Sequence, residues 1–415
     1  MEAWSPHPYF LHSFHSQDYT TTGSMIFVVL QGDNSIQYTM TGVVDDSWCD
    51  LPADILNAIA ECLRYVEQIR FRSVCKSWRS NTNPIKHAAD KLPWVMSCKE
   101  DYDSWIEQPF RSLSRSSRCS SSFYLHDPSQ KRKYTLQHEI LIGAKVHASK
   151  HGWLLLSKNS YECMPGSYFI FYTPFTHEII QLPKLHMTDS LSEATFSTAP
   201  TSPDCSILVL TLDYKKVRLS TCRLGDKTWS NVWFDGGHGE VDDLAFAGGV
   251  YYCLFSKRVM GSFKIEQEEW RLHPHPLPPR TTNEENFFIQ HSLIESHEGN
   301  LLLTCQKFRS SRQVFRYDES EIKWFEIENL GNRMLFLGVT CMLLPAVEEA
   351  SELANTIHLA GHTRCEWDRF LGNHYFGICS CHFHKPVMSP LQTYDWIGFD
   401  TEGLRKIWIQ PGKQT

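Results

Sequence analysis

From Trp94 onward, apolar residues come in short runs of β-branched and aromatic types, cut at close intervals by Gly, Pro, Asp and Asn. Runs bounded in this way predict β-strands separated by turns. The stretch from Trp48 to Ser80 follows another rule. After Leu51-Pro52, where proline suits a first helical turn, Ile55, Ile59 and Leu63 recur at i, i+4 and i+8, with Leu56 and Cys62 beside them. That spacing predicts one apolar helical face. Val66 and Ile69 continue the stripe into a second segment, and Val74, Cys75 and Trp78 supply another. Pro84 to Leu92 predicts a further short helix, whereas residues 1–46 are polar, show no sustained period and read as a mobile leader.

The strand pattern repeats. Tyr168–Tyr172, a turn over Thr173–His177 and Glu178–Leu182 make one hairpin. Val217–Cys222 with Trp229, Ser262–Ile265 with Trp270–Leu272, and Val314–Tyr317 with Trp324–Ile327 repeat the order of strand, polar turn and Trp-led strand. Fully apolar strands precede the hairpins at Gly152–Leu156, Ile207–Leu210, Val250–Phe255 and Leu301–Leu303. The hairpins recur at about 40 to 55 residues, the blade period of kelch-like and WD-like propellers. A single four-stranded blade cannot bury both of its faces, but a ring of blades can. A β-sandwich also has short strands; the repeated strand–turn–Trp order favours a propeller of six or seven blades.

Composition narrows the class without changing this picture. Apolar residues are 42% and charged residues 21%, ordinary for a soluble globular chain, and 13% aromatics suit a sheet-rich fold. A net charge of −7 argues against a dedicated nucleic-acid binder. The longest early apolar run, Met25–Leu30, is far short of the roughly 18 residues that suggest a membrane span. Met1 to Tyr19 lacks the pattern of a secretory signal, and no Asn-x-Ser/Thr site occurs, so the 14 cysteines read as reduced in a cytoplasmic or nuclear protein.

Some 33 residues cannot enclose all the apolar side chains between Trp48 and Ser80, so the surplus must meet a partner or the rest of the chain. Leu51-Pro52-Ala53-Asp54-Ile55-Leu56, followed by Arg70-Phe71-Arg72-Ser73-Val74-Cys75-Lys76-Ser77-Trp78-Arg79, resembles the F-box signature in both halves and in their separation. The rest resembles plant F-box proteins that carry a KIB-type β-propeller. The resemblance is carried by Leu92-Pro93-Trp94, Ser149–Leu154, Thr173–Thr176 with Leu182-Pro183, Pro200–Cys205, Gly225–Trp229 and Leu330–Gly338. It spans about residues 48 to 376 and departs from the pattern in the long leader and beyond Tyr375.

That resemblance implies a fold that is mainly β with a small all-α module. The expected divisions are a leader at 1–46, the F-box at 47–82, a helical linker at 83–93, the propeller at 94–390 and a C-terminal strand or tail at 391–415. It also implies the substrate-recognition subunit of a Skp–cullin–F-box ubiquitin ligase. Leu51, Pro52, Ile55, Leu56, Ile59, Val74, Cys75 and Trp78 would pack on the Skp-like adaptor, some of them also packing helix on helix. Through the adaptor the chain would reach the cullin, while the propeller holds a target protein. The alternative is sequestration of a partner without ubiquitination.

The chemistry-bearing motifs agree with a non-catalytic subunit that needs no cofactor or metal and contacts neither nucleic acid nor membrane. There is no Gly-x-Ser-x-Gly elbow, phosphate loop or dinucleotide glycine pattern, and Gly236–Gly239 lacks the strand-to-helix setting of a phosphate cradle. Cys379-Ser380-Cys381-His382-Phe383-His384 offers zinc-type ligands, but they are crowded into six residues and read as strand and loop. His273–Pro279 reads as a rigid connection, and Arg111–Ser122, Lys131–Lys133 and Glu348–Glu352 read as solvated loops.

Overall fold

The computed structural model describes residues 50–63, 65–83, 92–100, 119–127, 132–160, 166–186, 192–213, 216–235, 239, 241–255, 259–273, 290–296, 298–306, 312–360, 378–382 and 404–410. The expected leader, most of the expected linker at 83–93, Arg111–Arg118, Gly236–His238, Pro274–Pro279 and Phe383–His384 lie outside the described residues.

Three helices come first: α1 (Ala53–Cys62), α2 (Tyr65–Ser73) and α3 (Lys76–Asn81). Six four-stranded sheets follow. Blade I holds β1 (Trp94–Glu100), β2 (Cys119–Asp127) and β3 (Arg132–Leu136). Blade II holds β4 (Lys145–Lys150), β5 (Trp153–Ser160), β6 (Gly166–Tyr172) and β7 (Ile179–His186). Blade III holds β8 (Ser192–Phe196), β9 (Ser206–Asp213), β10 (Lys216–Arg223) and β11 (Ser230–Asp235). Blade IV holds β12 (Val241–Ala247), β13 (Val250–Phe255), β14 (Met260–Lys264) and β15 (Glu269–His273). Blade V holds β16 (Gln290–Glu295), β17 (Leu301–Gln306), β18 (Arg312–Asp318) and β19 (Lys323–Ile327). Blade VI holds β20 (Arg333–Leu337), β21 (Met342–Pro345), β22 (Thr356–Ala360) and β23 (Ile378–His382). The inner strand of blade I is the last described strand, β24 (Leu404–Ile409), paired antiparallel to β1 with Trp94 opposite Ile409. The ring is therefore closed by strands from both ends of the sheet region, and its blade number is six.

The apolar runs are continuous, not alternating, because each blade is sandwiched between two others. Successive residues of one strand enter different interfaces. Leu154 and Leu156 join the core between blades I and II, while Trp153 and Leu155 join that between II and III. Likewise Ile207 and Val209 face blade II, and Leu208 and Leu210 face blade IV. Further cores lie between IV and V, V and VI, and VI and I. The recurrent Trp residues serve these seams. Trp229, immediately before β11, packs on Phe169 of blade II with ring centroids 5.6 Å apart and donates to the Pro183 carbonyl at 2.8 Å. Trp270 stacks on Phe234 of blade III at 5.7 Å, and Trp408 donates to the Leu337 carbonyl of blade VI at 3.0 Å.

Turn chemistry sets the registers. Ala247 pairs with Val250 across Gly248-Gly249, whose φ values of 56° and 84° are those a two-residue hairpin turn requires. Blade VI breaks the pattern: β20 leads inward to β21, and the chain then returns so that β22 runs parallel to β20. The return passes through a short 3₁₀ helix at Glu348–Leu353 whose Ala350 enters the core between blades VI and I. The acidic stretch is thus a helical turn seated on the core, in place of the expected solvated loop. Salt bridges Arg223–Glu266 and Lys264–Glu319 join the β10–β11, β14–β15 and β18–β19 turns. These turns and the β6–β7 turn mark one face of the ring; the ends of β5, β9, β13 and β17 mark the other.

Candidate adaptor-docking site

The helical module is built from local rules. Pro52 caps α1 with φ −56° and ψ 145°, its carbonyl accepting from the Leu56 N–H at 3.0 Å, and Asp54 sits in the first turn where the helix dipole favours a negative charge. Cys75 caps α3, its Sγ accepting from the Trp78 N–H at 3.4 Å. Phe71 and Trp78 hold α2 to α3 with ring centroids 4.4 Å apart.

Two polar clamps complete the module. Arg72 Nη1 donates to the Thr82 carbonyl at 2.8 Å, the Thr82 hydroxyl at 2.9 Å and the Asn83 carbonyl at 2.7 Å, so the guanidinium closes the end of α3. Burial, then Arg79 nearby, lowers its pKa below the ordinary arginine value. Asn57 Oδ1 accepts from the Asn83 N–H at 2.7 Å and ties α1 to the same end. Sequence reading gave neither Arg72 nor Asn57 a role. A polar residue beside an apolar stripe gives no sign of which distant backbone group it will meet.

The expected docking residues divide by exposure. Pro52 is exposed and Val74 is 63% exposed; Leu51, Ile55, Ile59, Cys75 and Trp78 are half-buried. Leu56 is fully buried, so this member of the expected docking set packs within the chain and presents nothing to a partner. Ile69 is also buried, within the core between blades I and II.

At the centre of the ring, inner strands bring charged groups together. Glu193 lies 3.6 Å from Lys145 Nζ and 3.7 Å from His147 Nδ1, and His147 Nε2 meets the Ser157 hydroxyl at 2.8 Å. Asp243 accepts from the Leu293 N–H at 2.7 Å, joining blades IV and V. A cavity of about 20 Å³ there, lined in part by Val146, Glu193 and Asp242, has room for about one water. Among the described residues no group of three His, Cys, Asp or Glu side chains is placed to hold a metal, and no helix is long and apolar enough to cross a membrane.

A short helical module with open apolar residues, joined to a six-bladed propeller, defines an F-box/propeller protein. An F-box domain model matches residues 48–82, and a model described as KIB1-4 beta-propeller matches residues 122–380. The chain belongs to the KIB1-4 beta-propeller family and is a plant F-box protein. An F-box/kelch-repeat protein of Arabidopsis thaliana is 28% identical over 294 residues, covering 70% of this chain and 76% of that protein. An F-box protein of the same plant is 25% identical over 296 residues, covering 70% and 72%. A second F-box/kelch-repeat protein from it is 26% identical over 274 residues, covering 64% and 67%.

Proposed function

We propose that this protein is the substrate-recognition subunit of a Skp–cullin–F-box ubiquitin ligase, acting in the cytoplasm or nucleus. The observation that carries the reading is the F-box itself. Leu56, Phe71 and the two polar clamps hold it together without Pro52 and Val74, which stay open, and Leu51, Ile55 and Ile59 are only half covered. Open apolar side chains on a firmly built module are what a protein partner buries.

The role requires no nucleophile from this chain. Holding a target beside a ubiquitin-charged enzyme raises their effective concentration, and that proximity is the catalysis. The propeller supplies a broad rigid platform, with target specificity carried by the loops of one face.

Co-purification of the full chain with a Skp-like adaptor tests the docking surface. The Leu51→Ala, Pro52→Ala double variant should lose the adaptor while the propeller stays folded; undiminished binding would overturn the assignment. The abundance and ubiquitylation of captured partners, compared with and without proteasome inhibition, tests the outcome of docking. Unchanged values point to sequestration in place of degradation.

A further inference from the structure

Ile69 belongs to α2 of the F-box, yet it is buried in the propeller core between blades I and II, the cluster that holds Trp94, Leu154 and Phe175. The contacts around it are polar. Glu67 Oε1 lies 3.7 Å from Arg132 Nη1 at the start of β3. Burial, then His138, then the charge of Arg70 disfavour a proton on His177, in the β6–β7 turn. Two nearby positions of one helix, Glu67 and Ile69, thus meet the propeller. Five residues beyond Ile69, Val74 points into solvent. One short segment therefore serves two interfaces: Ile69 turned into the propeller, Val74 left for a partner.

We propose that α2 is a rigid mount, in which Ile69 and the Glu67–Arg132 pair fix the distance and angle between the adaptor-docking surface and the propeller, and so position a bound target relative to the ubiquitin donor. The proposal rests on the ligase reading above and adds positioning residues to it. A module on a flexible tether samples many orientations, and few of them bring an acceptor lysine to the donor. A helix pinned by a buried side chain samples few, so proximity becomes orientation. The mount also assigns the faces of the ring. The F-box lies on the face where β3 begins and the β6–β7 turn sits, which assigns the target to the opposite face, where β5, β9, β13 and β17 end.

The test uses the full chain with dyes at the exposed positions Ser80 and Ser320, alone and assembled with a Skp-like adaptor, cullin and a ubiquitin-charged conjugating enzyme. Energy transfer between the dyes reports the distribution of distances between F-box and propeller. The propeller's own lysines, mapped by mass spectrometry, serve as the acceptor probe. Ile69→Ala and Arg132→Glu should each broaden the distance distribution and scatter the modified lysines, with adaptor affinity unchanged. Ile69→Ala should also slow transfer by about tenfold. Adding Glu67→Arg to Arg132→Glu should restore the narrow distribution, which a general loss of stability would not allow. A distribution as narrow as the native one in both single variants, with the same lysines modified, would overturn the mount. A native chain that binds no adaptor would instead overturn the ligase reading, and the dye distances would still report on the mount.

Discussion

Lys150 Nζ lies 3.0 Å from Glu295 Oε2, so an ion pair joins the inner strands of blades II and V, on opposite sides of the ring. The same ammonium donates to the Phe196 carbonyl of blade III at 3.1 Å and sits 5.8 Å from the ring centre of Phe246 in blade IV. One side chain thus ties four blades where β4 ends.

Removing this tie should loosen the ring and not one blade alone. Lys150→Met leaves Glu295 and the Phe196 carbonyl without their cation, and the expected loss is about 1 to 2 kcal/mol. Thermal melting should fall by about 2 to 4 °C. Glu295→Gln should cost less, because the amide still accepts from the ammonium. A Lys150→Met melting point equal to that of the native chain would show that solvent replaces the pair without loss.

Gly261 in β14 has no room for a side chain. A Cβ there would overlap the indole of Trp270 and come 2.8 Å from Cys253 Sγ, in the seam between blades III and IV. Gly261→Ala should destabilise by about 1 to 3 kcal/mol, the ordinary cost of overpacking. Gly225→Ala is the control: its neighbourhood is open, but its φ of 90° makes the loss one of backbone strain. Near-ultraviolet circular dichroism separates the two, since only Gly261→Ala displaces a tryptophan.

The hairpins were legible because their signal is local. Tyr168–Tyr172 and Glu178–Leu182 fall inside β6 and β7 apart from Glu178, one residue before β7, and Val314–Tyr317 with Trp324–Ile327 lie in β18 and β19. The apolar run at Ile207–Leu210 announced burial on both faces without saying which blade lay on either side. Ring closure was not legible, because the pairing of Trp94 with Ile409 joins residues more than three hundred apart and leaves no mark in either segment. The parallel return of β22 was hidden for the same reason. In the F-box, the stripe marked the apolar positions, but Ile55, Leu56 and Ile69 carry similar side chains. Only the packed structure separates the residue that stays half open from those that are enclosed.

That separation predicts opposite behaviour for Leu56 and Val74. Leu56→Ala empties a buried position and should destabilise the helical module by about 2 to 5 kcal/mol, with adaptor binding lost through unfolding. Val74→Asp places a charge on a side chain that is already 63% exposed and should leave melting within about 1 °C. Its adaptor binding should nevertheless fail, since an unpaired carboxylate would be buried against the partner. Hydrogen exchange across α1 to α3 with calorimetric titration of the adaptor measures both. Native affinity in Val74→Asp would remove Val74 from the docking surface.

The junction of F-box and propeller should respond to acid. The Tyr172 hydroxyl meets His177 Nδ1 at 2.8 Å, the His138 ring stacks beside His177 with centroids 5.9 Å apart, and Arg70 of α2 lies nearby. Burial, then His138 and Arg70, hold the His177 pKa below its ordinary 6.5. His273 is depressed likewise, first by burial and then by Arg271. A depressed histidine pKa means that the unfolded chain takes up its proton first as pH falls. The contribution to stability is full above about pH 6.5 and is lost progressively as pH falls through the lower folded-state values. Urea midpoints should therefore drop between pH 7 and 5. His177→Asn should flatten part of that drop, because asparagine tolerates the φ of 59° at this position and carries no titrating proton. A pH profile with the native slope in His177→Asn would mean that charging of His177 is absorbed by solvent and does not load the junction.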